Sequence, residues 1–109
     1  MPQLKLISIY CKETEDWTGA DEALIKVNGN DTWRGSLNDR QSKSLSSLPL
    51  MPFSSTARIE LFDEDAGGPD NADFLGSVDV HASEAGQGEK YPKFTEDGAN
   101  YTITYEVLA

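Results

Sequence analysis

Apolar and polar residues alternate most cleanly from Tyr101 to Val107. Tyr101, Ile103, Tyr105 and Val107 fall on one side, and Thr102, Thr104 and Glu106 on the other. Successive side chains of a strand point to opposite faces, so this pattern predicts a strand with one buried face. Ala57 to Phe62 repeats it, with Ala57, Ile59 and Leu61 opposed to Arg58 and Glu60. Leu4 to Cys11, Ala23 to Val27, Asp31 to Ser36 around Trp33, Phe74 to Val80 and Lys90 to Thr95 read as further strands. In the first of these, Ile7, Ile9 and Cys11 are expected on one face and Leu4, Leu6 and Tyr10 on the other. Leu48 to Phe53 carries Pro49 and Pro52 and reads as a loop or an edge strand. Leu37 to Ser47 is polar and weakly patterned.

Turn residues separate these stretches. Asn28-Gly29-Asn30 is a hairpin signal, and Glu96 to Asn100 reads as a tight turn. His81 to Glu89 contains Gly86 and Gly88 and reads as a loop with room for one helical turn. No helical period is sustained for ten residues. About eight short strands with turns between them predict an all-β sandwich, one domain over residues 1–109.

Composition narrows the function. A chain of 109 residues is long enough for one domain with one core. The single cysteine, Cys11, excludes an internal disulfide and reads as a small buried hydrophobe. The net charge of −10 argues against nucleic acid as a partner, and against anionic membranes by charge alone. Arg34, Arg40 and Lys43 are too sparse to form a basic patch. No apolar run approaches the ~20 residues of a membrane span. Met1-Pro2-Gln3-Leu4-Lys5 leads straight into a strand with no signal-peptide pattern, so a cytoplasmic location is expected. The only histidine, His81, is expected at the surface, and the chain offers no Cys/His or Ser/His pair. It is not expected to be an enzyme.

Two acidic loops remain to be explained. The stretch Asp63 to Gly76 holds Asp63, Glu64, Asp65, Asp70 and Asp73, and no Lys or Arg lies between Arg58 and Lys90. Residues two apart share a face, so Asp63 and Asp65 extend the Ile59/Leu61 face beyond the apolar part of its strand. Gly67, Gly68, Pro69, Asp70 and Asn71 read as loop. The natural counter-charge for such a set is a hard cation, and calcium takes 6–8 oxygen ligands, often carboxylates. A second acidic loop, Glu13 to Glu22, also follows a strand. If both loops lie at one end of the sandwich, their carboxylates converge. An EF-hand fits worse, because one starting at Asp63 needs Glu where Phe74 stands and needs helices on both sides. A Gly-rich nonapeptide repeat also fits worse, because Gly67-Gly68 lacks the following Gly and Asp and has no second copy.

The phrase Asp16-Trp17-Thr18-Gly19-Ala20-Asp21, followed by the strand Leu24-Ile25-Lys26-Val27, resembles the first calcium loop of C2 domains. Leu61-Phe62-Asp63-Glu64-Asp65, ending in Asp73-Phe74-Leu75-Gly76, resembles their third. Together the matches run over roughly residues 4 to 80. The resemblance implies an eight-stranded antiparallel β-sandwich that binds Ca²⁺ between loops at one end. Its ligands would be Asp16 and Asp21 from the first loop and Asp63, Asp65 and Asp73 from the third. Backbone oxygens of neighbours such as Trp17 and Glu64 would complete the shell. The first loop is one residue shorter than the family pattern, so Glu15 stands as an alternative to Asp16. The third is about two residues longer, so Asp70 stands as an alternative to Asp73. The second loop's usual signature is only echoed, by Ser36-Leu37-Asn38. The expected function is a non-catalytic calcium-binding module, with a calcium-independent protein-interaction module as the alternative. Trp17 could insert into a bilayer, but Ala66-Gly67-Gly68-Pro69 offers little grip. Weak or no binding to phospholipid vesicles is therefore expected.

Overall fold

The computed structural model of the chain describes residues 1–14, 19–64 and 72–109. Among the sequence-derived site candidates, Glu15, Asp16, Asp65 and Asp70 lie outside these residues, as does Trp17. The described residues form ten strand segments in chain order: β1 (Gln3–Glu13), β2 (Asp21–Val27), β3 (Asn30–Leu37), β4 (Gln41–Ser44), β5 (Met51–Pro52), β6 (Thr56–Asp63), β7 (Asp73–His81), β8 (Glu89–Lys90), β9 (Lys93–Phe94) and β10 (Asn100–Leu108). Short 3₁₀ turns occupy Ala82–Glu84 and Glu96–Gly98. No helix among the described residues is long and apolar enough to cross a membrane.

The strands make two sheets. One has the order β4-β1-β10-β8, with β5 also on β1 and β9 also on β10; the other has the order β3-β2-β6-β7. Every pairing is antiparallel. β4 and β5 share one edge position along β1, and β8 and β9 share another along β10. The ten segments therefore fill four lateral positions in each sheet, the eight-stranded antiparallel sandwich that the alternation and the resemblance predict.

The core lies between the sheets. Ile25, Ile59, Leu61 and Leu75 from the four-stranded sheet and Leu4, Leu6, Ile9, Tyr101 and Ile103 from the other are all essentially inaccessible. Each such side chain contributes roughly 1.5–3 kcal/mol relative to an exposed one. The parity of β6 and β10 is as the alternation predicts, with Ala57, Ile59 and Leu61, and Tyr101, Ile103, Tyr105 and Val107, buried. β1 departs from it. Its register against β10 runs Leu6↔Tyr105 and then Ser8↔Thr104, so Ile7 is an extra residue in the ladder. A bulge resets the alternation beyond it. Leu4, Leu6, Ile9 and Cys11 therefore all face the core, while Tyr10 turns outward and is 37% exposed.

Local chemistry fixes the ends of the strands. Asn28 (φ 51°) and Gly29 (φ 81°) turn β2 into β3, as the Asn-Gly pair predicts. The Asn28 N–H donates to Arg58 O at 2.9 Å and its Oδ1 accepts from the Arg58 N–H at 2.8 Å, locking the turn to β6. β2 begins two residues earlier than the alternation suggests, because Asp21 and Glu22 already pair with Leu37 and Ser36. The polar stretch after Leu37 hides β4. The predicted strand Lys90 to Thr95 is broken into β8 and β9 around Tyr91-Pro92, where proline has no N–H for the ladder.

Candidate metal centre

The chain passes from β1 to β2 at the same end of the sandwich where it passes from β6 to β7. The register shows why. Asp21 opens β2, and two residues on Ala23 pairs with Asp63, the last residue of β6. Asp63 in turn pairs with Asp73, the first residue of β7. Three of the sequence-derived candidates, Asp21, Asp63 and Asp73, thus stand on three neighbouring strand positions at one edge of one sheet.

Asp21 and Asp63 are buried, at 0% and 2% exposure, and Asp73 is partly exposed. Asp63 is inward because its parity is that of Ile59 and Leu61, as the sequence predicts. Its Oδ1 accepts the Glu22 N–H at 2.8 Å, and the Glu64 N–H donates to Glu22 O at 2.9 Å, which ties the end of β6 to the start of β2. Asp21 is held from the opposite sheet. The Tyr101 hydroxyl donates to Asp21 Oδ2 at 2.5 Å. Burial, and then this bond, push the Tyr101 hydroxyl far above the usual phenol range. Cys11 lies across the ladder from Tyr101. Burial raises its thiol to about 11 against the opposing hydrogen bond with Tyr101, so it stays a neutral thiol at pH 7.

Glu64 plays a part the sequence did not show. Arg34 on β3 donates from Nε to Glu64 Oε1 at 2.8 Å and from Nη2 to Asp31 Oδ2 at 2.7 Å. Both carboxylates raise the pKa of Arg34. The Glu64 side chain is thereby engaged on the outer face of the sheet. Asp39 was also missed. In the turn between β3 and β4, its Oδ1 accepts the Thr14 N–H at 2.9 Å and braces the exit of β1. The only signal nearby was the Ser36-Leu37-Asn38 echo. Asn100 pairs with Glu13 at this same end, and its side-chain oxygen is buried with no hydrogen-bond partner among the described residues.

The donor chemistry fits calcium. Asp21, Asp63, Asp73 and the Asn100 carbonyl are hard oxygen donors, the kind calcium takes. The nitrogen donor that zinc favours is at the other end, where His81 closes β7 opposite Thr56. Among the described residues, no three acidic, histidine or cysteine side chains are close enough to hold an ion on their own.

No protein-family model matches the chain, and no curated protein sequence matches it significantly. Its structure is similar to a solved chain of Extended-Synaptotagmin 2 that comprises two C2 domains, A and B. The similarity has a TM-score of 0.59 at 20% identity and covers 98% of this chain and 39% of the other. This chain thus spans well under half the length of that one. The likeness agrees with the two antiparallel sheets. The chain has a C2-like fold.

Proposed function

We propose that this domain is a non-catalytic calcium-binding module that holds the ion between the β1–β2 and β6–β7 connections. Its ligands would be Asp21 and either Asp16 or Glu15 from the first loop, with Asp63, Asp65 and either Asp73 or Asp70 from the third. The observation that carries the reading is the burial of two carboxylates, Asp21 and Asp63, on adjacent strands at the end where both acidic loops emerge. Removing an ionised carboxylate from water costs several kcal/mol unless it is compensated. The Tyr101 O–H and the Glu22 N–H offset part of that cost. A divalent cation would cancel the repulsion between neighbouring carboxylates, on the order of a few kcal/mol at intermediate dielectric. When bound, calcium supplies a positive centre to which a phosphate or carboxylate of a partner can bridge.

The test is calorimetric titration of the chelator-treated domain, together with its melting temperature in chelator and in millimolar calcium. A ligand at about 100 times its dissociation constant adds about 2.7 kcal/mol, a melting shift of several degrees. Superimposable melting curves would sink the reading. A calcium-independent protein-interaction module is favoured by one separate observation. At the opposite end, an open groove of about 450 Å³ runs between the β2–β3 hairpin and Leu48 to Pro52, with Leu50 43% exposed.

A further inference from the structure

Tyr101 is the first inward-facing residue of β10, and it is completely buried. Its hydroxyl crosses from one sheet to the other to reach Oδ2 of Asp21, 80 residues away in sequence. Phenylalanine would fill nearly the same volume without a hydroxyl to desolvate. A buried phenol oxygen is tolerated when it has a partner, and here that partner is a carboxylate at the acidic end. The Asp21 backbone is itself fixed by its pairing with Leu37. A carboxylate is planar. With the backbone held by the strand and one oxygen held by Tyr101, the carboxylate is restrained to a narrow range of orientations.

We propose that Tyr101 is a positioning residue of the calcium site: its hydroxyl fixes the orientation of Asp21 from the opposite sheet, so that the ion meets a carboxylate already in place. The inference rests on the calcium reading above and adds to it the group that presets one ligand. Cys11, also buried, pairs with Tyr101 across the β1–β10 ladder. A metal ligand that must be ordered on binding loses affinity, and partners that orient metal ligands are typically worth 10–100-fold in metal affinity.

The structure supplies a matched control on the same strand. Tyr105 is also inward-facing, and its hydroxyl donates to another carboxylate, Glu84 Oε1, at 2.5 Å in the 3₁₀ turn after β7, at the other end of the sandwich. Tyr101→Phe and Tyr105→Phe each delete one tyrosine–carboxylate bond, so both lower the melting temperature in chelator. Calorimetric titration of the full chain with calcium separates them. The dissociation constant should rise about 10–100-fold in Tyr101→Phe and stay at the wild-type value in Tyr105→Phe. Wild-type affinity in Tyr101→Phe, or equal losses in both variants, overturns the positioning role and leaves the calcium reading standing. Absence of calcium binding by the wild-type protein overturns both. A second measurement needs no substitution. In wild-type protein labelled at tyrosine ¹³Cζ, saturation with calcium should shift the Tyr101 signal, because the carboxylate it donates to now shares its charge with an ion. The Tyr105 signal should stay in place. An unmoved Tyr101 signal in calcium-saturated protein overturns the proposal even if Tyr101→Phe fails to fold.

Discussion

The side chain of Asp63 accepts a backbone hydrogen bond and carries a charge, and substitutions can separate the two. Its Oδ1 takes the Glu22 N–H at 2.8 Å. Asparagine keeps a carbonyl acceptor at that position and removes the charge, whereas alanine removes both. Asp63→Asn is therefore expected to leave the chelator-treated protein as stable as wild type or slightly more stable, since it relieves repulsion with Asp21 and Asp73. Asp63→Ala should lower stability by about 1 kcal/mol, because a part-buried N–H loses its acceptor. Both should abolish the melting shift produced by calcium. Chemical denaturation with and without the ion measures all three proteins. A calcium shift that survives in Asp63→Asn would remove Asp63 from the ligand set. Cys11 gives a second expectation at this scale. Its thiol is raised from 9.0 to about 11 in the folded state, so the unfolded chain releases that proton first as pH rises. The contribution is fully present below pH ~9 and is lost between there and ~11, on the order of 2 kcal/mol. Tyr101 and Tyr105 are shifted in the same direction and lose stability at still higher pH. Cys11→Val should flatten the first part of this alkaline decline, as measured by denaturation at several pH values.

Among the strands, the sequence is legible wherever the ladder is regular. β6 runs without a slip against β2, and the slip in the β1–β10 ladder adds its extra residue to β1, so β6 and β10 keep their own period of two and it assigns every inward residue, Asp63 included. It fails at β1 because one extra residue, Ile7, inverts everything beyond it. Nothing local marks that position, since the bulge is a property of how β1 matches β10. β4 is hidden for another reason: it is a four-residue edge segment, Gln-Ser-Lys-Ser, with no apolar residue of its own, whereas β5 falls within the proline-bearing stretch read as a loop or edge strand. β7 carries a different constraint. Gly76 has φ 142°, and an added Cβ would lie 3.0 Å from both Cα and Cβ of Phe94. The strand approaches the β9 backbone too closely for any side chain, at a dihedral that L-residues avoid. Gly76→Ala should therefore destabilise the domain by about 2 kcal/mol or more, from strain and overpacking together. An unchanged denaturation midpoint would show that β9 can move away freely.

For the molecule as a whole, the charge is concentrated where the site is. Asp63 could be placed from the sequence, because its strand is regular and its loop lacks cations. The Tyr101–Asp21 bond could not, because it joins residues 80 apart through the packing of two sheets. That depth leads to a prediction about ionic strength. Salt screens exposed charges, with a Debye length falling from about 30 Å at 0.01 M to about 3 Å at 1 M, and acts much less on buried ones. For a chain of net charge −10, raising sodium chloride over that range in chelator should raise the melting temperature by relieving repulsion among the surface carboxylates. It should leave the repulsion between buried Asp21 and Asp63 largely untouched. Calcium at saturation should therefore still add several degrees at high salt. Magnesium should add much less at either salt concentration, because it demands a tight octahedral shell and gives up its water reluctantly. Melting curves over both salt concentrations and both ions distinguish the two origins. If calcium acts only by screening the acidic surface, its effect vanishes at about 1 M salt and magnesium matches it. If it is held by buried carboxylates, the calcium shift persists and the magnesium shift stays small.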